Sequence, residues 1–159
     1  MKPRVYIETT IVSYLTAWPS RDVVDLARQQ VTRDWWEHHR EAFSLVVSEF
    51  VLREAGGGDP DAAKRRLDCL AGIPLLAVTP PVIQLAADIL SLRLIQARAA
   101  TDAYHLAIAA YHEVDFLLTW NCRHLANGRI LKAVNQLLLA QGFKPPMVLT
   151  PEELPGEWS

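Results

Sequence analysis

Short apolar runs alternate along the chain with segments whose apolar residues recur at helical spacing. The runs predict strands at 5–7, 43–47, 75–78, 114–118 and 147–149. The helical spacing predicts helices over 11–17, about 22–40, 49–55, about 60–71, about 80–93, 101–112 and 129–141. Strands that are apolar throughout and alternate with helices are typical of parallel sheets. The pattern therefore predicts an α/β fold, a three-layer αβα sandwich around a mostly parallel sheet of four to five strands.

Helix ends are marked by residues that satisfy free backbone groups. Asp59-Pro60 and Thr79-Pro80 each combine an N-cap residue with proline at the first helical position. Ser48 and Thr101 are predicted to cap the helices that follow them. Gly142 is predicted to end the helix before it.

Composition places the chain among ordinary globular proteins and narrows where it works. It has 159 residues, half of them hydrophobic and 21% charged, and no change in composition divides it, so one domain over 1–159 is expected. No apolar run approaches the roughly 20 residues that span a bilayer. The two cysteines form no disulfide pattern, and the first apolar segment meets Glu8 too early for a signal peptide. A cytoplasmic location is expected.

The net charge of −2 argues against a protein that coats nucleic acid, because such proteins are usually basic. The charge is compatible with an enzyme that has a local basic rim, or with a protein that works beside a basic partner.

Polar residues follow the predicted strands at the points where those strands end. Glu8 follows the first strand, Glu54 lies on the helix after the second, Asp102 opens the alanine-rich helix, and Asn121 follows the fourth strand. Ligands bind at the carboxyl ends of the strands in open α/β sheets, so these side chains are expected to meet at one edge. Clustered carboxylates repel one another unless a cation lies between them. Hard oxygen ligands favour Mg²⁺ or Mn²⁺, with Glu8, Glu54 and Asp102 as the predicted metal ligands.

Four segments together resemble the motifs of PIN domains, in the same order. They are 5–12, with an acid and threonine at the end of the first strand; 48–54, which ends in glutamate; 101–109, with aspartate opening an alanine-rich helix; and 116–121. The resemblance implies Mg²⁺- or Mn²⁺-dependent hydrolysis of RNA, with Glu8, Glu54, Asp102 and Asn121 as catalytic residues. Small prokaryotic members of that family are often toxins that an antitoxin protein inhibits, and they are often homodimers.

Two residues depart from the family pattern, in which Glu8 and Asn121 would both usually be aspartate. Glutamate can still ligate a metal, whereas asparagine offers a carbonyl oxygen without charge. The predicted site thus has three formal negative charges where the common pattern has at least four acids. A catalytically degenerate PIN-like domain that binds RNA or protein is therefore the alternative function.

Other polar residues have two interpretations each. Thr9, Thr119, Arg98 and Arg123 are the predicted substrate-binding residues, but Thr119 fits a strand end equally well, and Asn121 fits a simple cap. Glu49 suits the helix dipole alone. His105 fits a packed, hydrogen-bonded histidine better than a substrate contact.

The helix over 22–40 carries a wide apolar stripe. Such a stripe predicts contact with a second copy or with an antitoxin.

Other α/β enzyme classes fit the sequence less well. A phosphatase or dehalogenase would need an aspartate nucleophile where Glu8 stands, and a nucleotide-binding protein would need a glycine-rich phosphate loop that the chain lacks.

Overall fold

A computed structural model describes residues 1–157 of the protein, and within them strands and helices alternate as the sequence predicts. The strands are β1 (Arg4–Ile7), β2 (Ser44–Ser48), β3 (Leu75–Leu76), β4 (Phe116–Leu118) and β5 (Met147–Leu149). The helices are α1 (Thr9–Thr16), α2 (Val23–His38), α3 (Glu49–Ala55), α4 (Pro60–Leu70), α5 (Pro80–Ser91), α6 (Ala100–Tyr111) and α7 (Gly128–Ala140). Short 3₁₀ turns occupy Arg40–Ala42, Ala97–Ala99 and Pro151–Glu153.

The five strands form one sheet in the order β3-β2-β1-β4-β5, and every pairing is parallel. The prediction of an α/β sandwich with a parallel sheet is confirmed. After β3 the chain returns to the other side of β1 to form β4, so the direction of winding reverses between β1 and β4. Open sheets of this kind form their ligand sites at such a reversal, beyond the carboxyl ends of the strands.

The central strand β1 is covered on both faces. Val5, Tyr6 and Ile7 are all completely buried. Successive residues of a strand point to opposite faces, so helices must cover both sides of the sheet. β1 is thus a rigid position from which the next residue, Glu8, enters the edge of the sheet.

Two strands, β3 and β4, are shorter than the apolar runs predict, whereas β5 has its predicted bounds. β3 is limited to two residues at the edge of the sheet, where Leu75 is more than half exposed. β4 begins at Phe116, and the side chain of the preceding Asp115 accepts a hydrogen bond from the backbone N–H of Arg4 (2.8 Å). Asp115 therefore has a structural role at the amino end of β4.

The predicted helix caps have different outcomes. Ser48 and Thr79 occupy the N-cap positions of α3 and α5 without a side-chain bond to the helix, and the prediction that Thr101 caps α6 is wrong. Ser48 precedes α3, but its side chain caps no backbone group, and its Oγ lies 2.7 Å from the Tyr6 hydroxyl instead. α6 begins at Ala100, which places Thr101 inside the first turn, where it is no longer an N-cap. Asp59 does cap α4, through a 2.9 Å bond from the Ala62 N–H. No helix in residues 1–157 is both long enough and apolar enough to cross a bilayer.

Candidate metal centre

Glu8 lies where β1 ends and α1 begins, and it is almost completely buried, with 3% of its surface exposed. One carboxylate oxygen, Oε1, accepts hydrogen bonds from the hydroxyls of Thr10 and Thr119. The other, Oε2, accepts from the backbone N–H of Thr10 at 3.2 Å. Strand β1, the first turn of α1 and the end of β4 therefore fix this carboxylate together.

Glu54 reaches the same place from the last turn of α3. Its Oε1 accepts from the Thr9 hydroxyl at 2.8 Å and pairs with His105 Nε2 at 2.7 Å. The side chain remains 37% exposed, so this carboxylate meets solvent where Glu8 does not. Glu49, five residues earlier on α3, is exposed and has no such contacts within the described chain. Glu54 therefore lies on the face of α3 that is turned toward Glu8, and Glu49 lies on a solvent-exposed face.

His105 is completely buried between Glu54 and Tyr6. Its Nδ1 lies 2.6 Å from the Tyr6 hydroxyl, and that hydroxyl in turn bonds Ser48. Ligand atoms of Glu8, Glu54 and His105 all lie within 4.8 Å of one another. Two carboxylates held this close suit a divalent cation between them, and their oxygens are the donors that Mg²⁺ and Mn²⁺ prefer. The residues present therefore fit a metal ion.

The two carboxyl groups have opposite pKa shifts. Burial raises the pKa of Glu8, although the charge of His105 and the hydrogen bonds from Thr10 and Thr119 oppose that rise. Partial burial also acts to raise the pKa of Glu54, but the hydrogen bond and charge of His105, with the bond from Thr9, outweigh it and lower that pKa. The buried acid thus carries a cost in its charged form that a cation would relieve, while the exposed acid is stably ionised.

Asp102, the third predicted ligand, lies in the first turn of α6 and is not part of this group of three. Its Oδ2 pairs with His124 Nδ1 at 2.9 Å, and both side chains are mostly buried. The loop after β4 supplies His124. Each of the acids Glu54 and Asp102 is therefore held by its own histidine.

Asn121 acts as a cap for the loop that carries His124. Its Oδ1 accepts from the backbone N–H of Arg123 at 3.2 Å and from that of His124 at 3.0 Å. Of the two roles left open for Asn121, the structure shows the capping contacts. These contacts also link Asn121 indirectly to Asp102, because Asn121 accepts from the backbone of His124 and the side chain of His124 pairs with Asp102.

The predicted substrate-binding residues divide into two groups. The hydroxyls of Thr9 and Thr119 bond Glu54 and Glu8 directly, so both threonines lie inside the centre. Arg98 bonds Gln96 at the surface, and Arg123 is exposed in the loop after β4. Neither arginine contacts Glu8, Glu54 or Asp102 anywhere in the described part of the chain.

Sequence reasoning missed Tyr6, Thr10 and the pairing role of His124. A signal for Tyr6 was present, since residues two apart on a strand share a face and Tyr6 precedes Glu8 by two. A polar hydroxyl in an otherwise apolar central strand needs a partner when it is buried. His124 had no comparable signal, because only the folded loop brings it beside Asp102.

Comparisons with known proteins do not identify a family. The sequence matches none of the protein-family models, and no curated protein matches it. The resemblance to PIN domains therefore rests on the four motifs alone and stays a prediction.

The raised pKa of Glu8 predicts how stability depends on pH without metal. Above the unfolded-state pKa of about 4.3, the folded protein keeps a proton that the unfolded chain has lost, so stability falls as pH rises toward the folded-state pKa. The Glu8→Gln variant lacks this titration. Its unfolding free energy, measured in EDTA by urea denaturation, should gain on that of the native protein as pH rises above the unfolded-state pKa. Parallel pH curves for the two proteins would contradict the assignment.

The capping contacts of Asn121 predict the outcome of two substitutions there. Asn121→Asp keeps an acceptor for both backbone N–H groups, so stability and the Mn²⁺-induced rise in melting temperature should match those of the native protein. Asn121→Ala loses the cap and should cost about 1 kcal/mol. Thermal melts with and without Mn²⁺ measure both effects. A clearly larger Mn²⁺-induced rise for the aspartate variant would show that this side chain reaches the metal.

Proposed function

We propose that the protein is a metal-dependent endoribonuclease of the PIN type, in which Glu8 and Glu54 hold Mg²⁺ or Mn²⁺. The observation that carries the proposal is the convergence of these two carboxylates at the winding reversal between β1 and β4, on side chains that the PIN-like motifs single out independently. A purely structural cluster would have little reason to bury Glu8 beside a second carboxylate, since burying charge is costly unless it is compensated.

The divalent ion would lower the pKa of a bound water and neutralise charge on the scissile phosphate. The chain supplies the positions around that chemistry. Thr10 and Thr119 fix Glu8 from two elements, and Glu54 faces solvent, from which RNA and water arrive. The lowered pKa of Glu54 suits a permanently ionised ligand better than a general base, which works best with a pKa near the operating pH.

Asp102 is proposed as the third acid of the site, set in place by His124. Asn121 contributes indirectly, through the loop it caps. The proposed site thus has three carboxylates, those of Glu8, Glu54 and Asp102, which are the three formal negative charges expected from the sequence. Because Ca²⁺- and Mg²⁺-type sites draw affinity from the number of charged ligands, Mg²⁺ should bind more weakly here than in a site with four acids.

A partner surface is proposed at the amino end of α2, where either a second copy or an antitoxin would bind. A groove of about 570 Å³ lies there. Its lining residues are the apolar Val23, Val24, Ala27, Val31 and Trp120, together with Arg28, Cys122, Thr150, Glu152 and Glu153. Val23 is 81% exposed and Val24 57%. The other end of the predicted stripe, Trp35 and Trp36, is buried inside the protein and is not available to a partner.

The groove predicts a response of assembly to charge. Val24→Asp should weaken self-association or antitoxin binding by about tenfold or more, since a charge buried at a contact is strongly unfavourable. Leu139→Asp, at an exposed apolar residue of α7 outside the groove, is the matched control. Light scattering and titration with a candidate antitoxin measure the change. Equal effects of the two substitutions would remove the groove from the interface.

The two glutamates of α3 provide the test of the activity. The native protein should cleave single-stranded RNA with Mn²⁺ or Mg²⁺ and stop when EDTA is added. Glu54→Gln should reduce the cleavage rate at least 100-fold while the protein stays folded, because it removes a ligand charge. Glu49→Gln should change the rate less than threefold. Rates come from gel assays on labelled RNA, and circular dichroism checks folding.

Two outcomes would contradict this account. If the native, partner-free protein binds Mn²⁺ but leaves a panel of RNAs intact, the chain is a PIN-like binding module without ribonuclease activity. If Glu49→Gln abolishes cleavage and Glu54→Gln does not, the catalytic carboxylate lies on the other side of α3.

A further inference from the structure

His105 has no role in the proposed chemistry, yet it is a completely buried polar residue beside the site. Both ring nitrogens already have partners, Glu54 at 2.7 Å and Tyr6 at 2.6 Å, and the residue is completely buried. A nitrogen that ligated a metal would have to give up one of these bonds. His105 therefore differs from the two carboxylates in lacking a ring nitrogen that is available to a metal, although ligand atoms of all three residues lie close together.

The direction of the hydrogen bonds follows from the chemistry of their ends. Ionised Glu54 can only accept, so His105 Nε2 must carry a proton and donate it to Oε1. Burial raises the pKa of the Tyr6 hydroxyl, which therefore stays protonated and can donate to a neutral ring or accept from a charged one. In either state of the ring the Tyr6 bond is kept, and Nε2 continues to donate to Glu54.

The chain of bonds extends to Ser48 and so joins four elements. Ser48 ends β2, Tyr6 lies in β1, His105 in α6 and Glu54 in α3. Ser48 caps no helix, which leaves its hydroxyl available for Tyr6. The buried sheet is thus connected by hydrogen bonds to the carboxylate of Glu54, which lies at the end of the seven-residue helix α3.

Glu54 depends on such hydrogen bonds for a fixed position more than Glu8 does, because Glu8 is buried. It has a long side chain that is 37% exposed, and it lies in the last turn before the glycines at 56–58. A side chain of this kind samples several rotamers in solution unless its carboxylate is held. Within residues 1–157, the two hydrogen bonds of the Glu54 carboxylate, from Thr9 and His105, both end on Oε1, so Oε2 remains for a cation.

We propose that His105, supported by Tyr6 and Ser48, is a positioning residue that fixes the carboxylate of Glu54 for a divalent cation and does not itself bind the ion. The inference deepens the proposed function and rests on the metal site being real. Hydrogen-bond partners behind metal ligands commonly contribute about 10- to 100-fold to metal affinity, which is the size of effect expected for His105.

Two amide substitutions separate positioning from packing. In His105→Gln the amide N–H₂ lies near the place of Nε2 and can donate to Glu54. In His105→Asn the shorter amide lies near the place of Nδ1, so it can meet Tyr6 but not Glu54. Both variants lose the ring, so a merely structural role predicts similar defects. Positioning predicts that the glutamine variant binds Mn²⁺ within about threefold of the native affinity and that the asparagine variant loses tenfold or more.

Tyr6→Phe provides an independent variant that preserves the packing of β1. Removal of the hydroxyl leaves Nδ1 of His105 without its partner, and Mn²⁺ affinity should fall severalfold, with melting temperature in EDTA monitoring the fold. If the asparagine variant does not fold, Tyr6→Phe decides the question. Mn²⁺ affinity is measured by electron paramagnetic resonance of the free ion, which does not depend on RNA cleavage.

The proposal is overturned if Tyr6→Phe, or a folded His105→Asn, binds Mn²⁺ within twofold of the native protein. It is also overturned if pulsed resonance spectra show imidazole nitrogen coordinated to Mn²⁺. The two levels of inference fail separately. A native protein that binds Mn²⁺ and responds to these substitutions, but cleaves no RNA, sustains the positioning role and refutes the ribonuclease.

Discussion

The burial of one carboxylate, that of Glu8 at the end of the central strand, is the constraint on which the rest of the site depends. Burial makes its charged form costly, and the surroundings reduce that cost through three hydrogen bonds from Thr10 and Thr119. Those donors come from α1 and from the end of β4, so the carboxylate is compensated only when the sheet is assembled. A cation bound beside Glu8 would complete the compensation, and its binding would then be coupled to the integrity of the fold.

A second carboxylate, that of Glu54, lies nearer to solvent than Glu8 and is held from two sides. Thr9 follows Glu8 directly and bonds Glu54, so the same turn of chain that places one acid also anchors the other. From the opposite side, His105 connects Glu54 to the buried strand through Tyr6. The result is one buried acid and one solvent-facing acid. In the proposed function, the buried acid would help to hold the metal ion while substrate reaches it from the solvent-facing side.

Much of the fold could be predicted because its signals are local. Apolar runs mark strands, helical spacing marks helices, and the alternation of the two leaves few topologies other than a parallel sheet. The errors arose where a distant contact competes with a local one. Ser48 looks like a cap by itself, but Tyr6, 42 residues earlier, takes its hydroxyl. Likewise the side chain of Asp115, which the apolar run would place inside β4, accepts a hydrogen bond from the backbone of Arg4, 111 residues earlier.

The proximity of Glu8 and Glu54 was predictable, because both acids follow strands whose carboxyl ends meet at one edge of a parallel sheet. Asp102, predicted beside them, is not part of that group of three. The partners of His105 and His124 were not predictable, since each histidine meets its acid only through tertiary packing. Asn121 illustrates the limit: ligand and cap use the same oxygen, and only the fold shows that this oxygen faces the backbone N–H groups of Arg123 and His124.

The most direct test of the central claim is anomalous diffraction from crystals of the native protein soaked in Mn²⁺, with data collected above and below the manganese edge. We expect a manganese peak coordinated by a carboxylate oxygen of Glu8 and one of Glu54, with the hydrogen bond between His105 and Glu54 intact. A peak bound elsewhere, or no peak between these two carboxylates at saturating Mn²⁺, would contradict it.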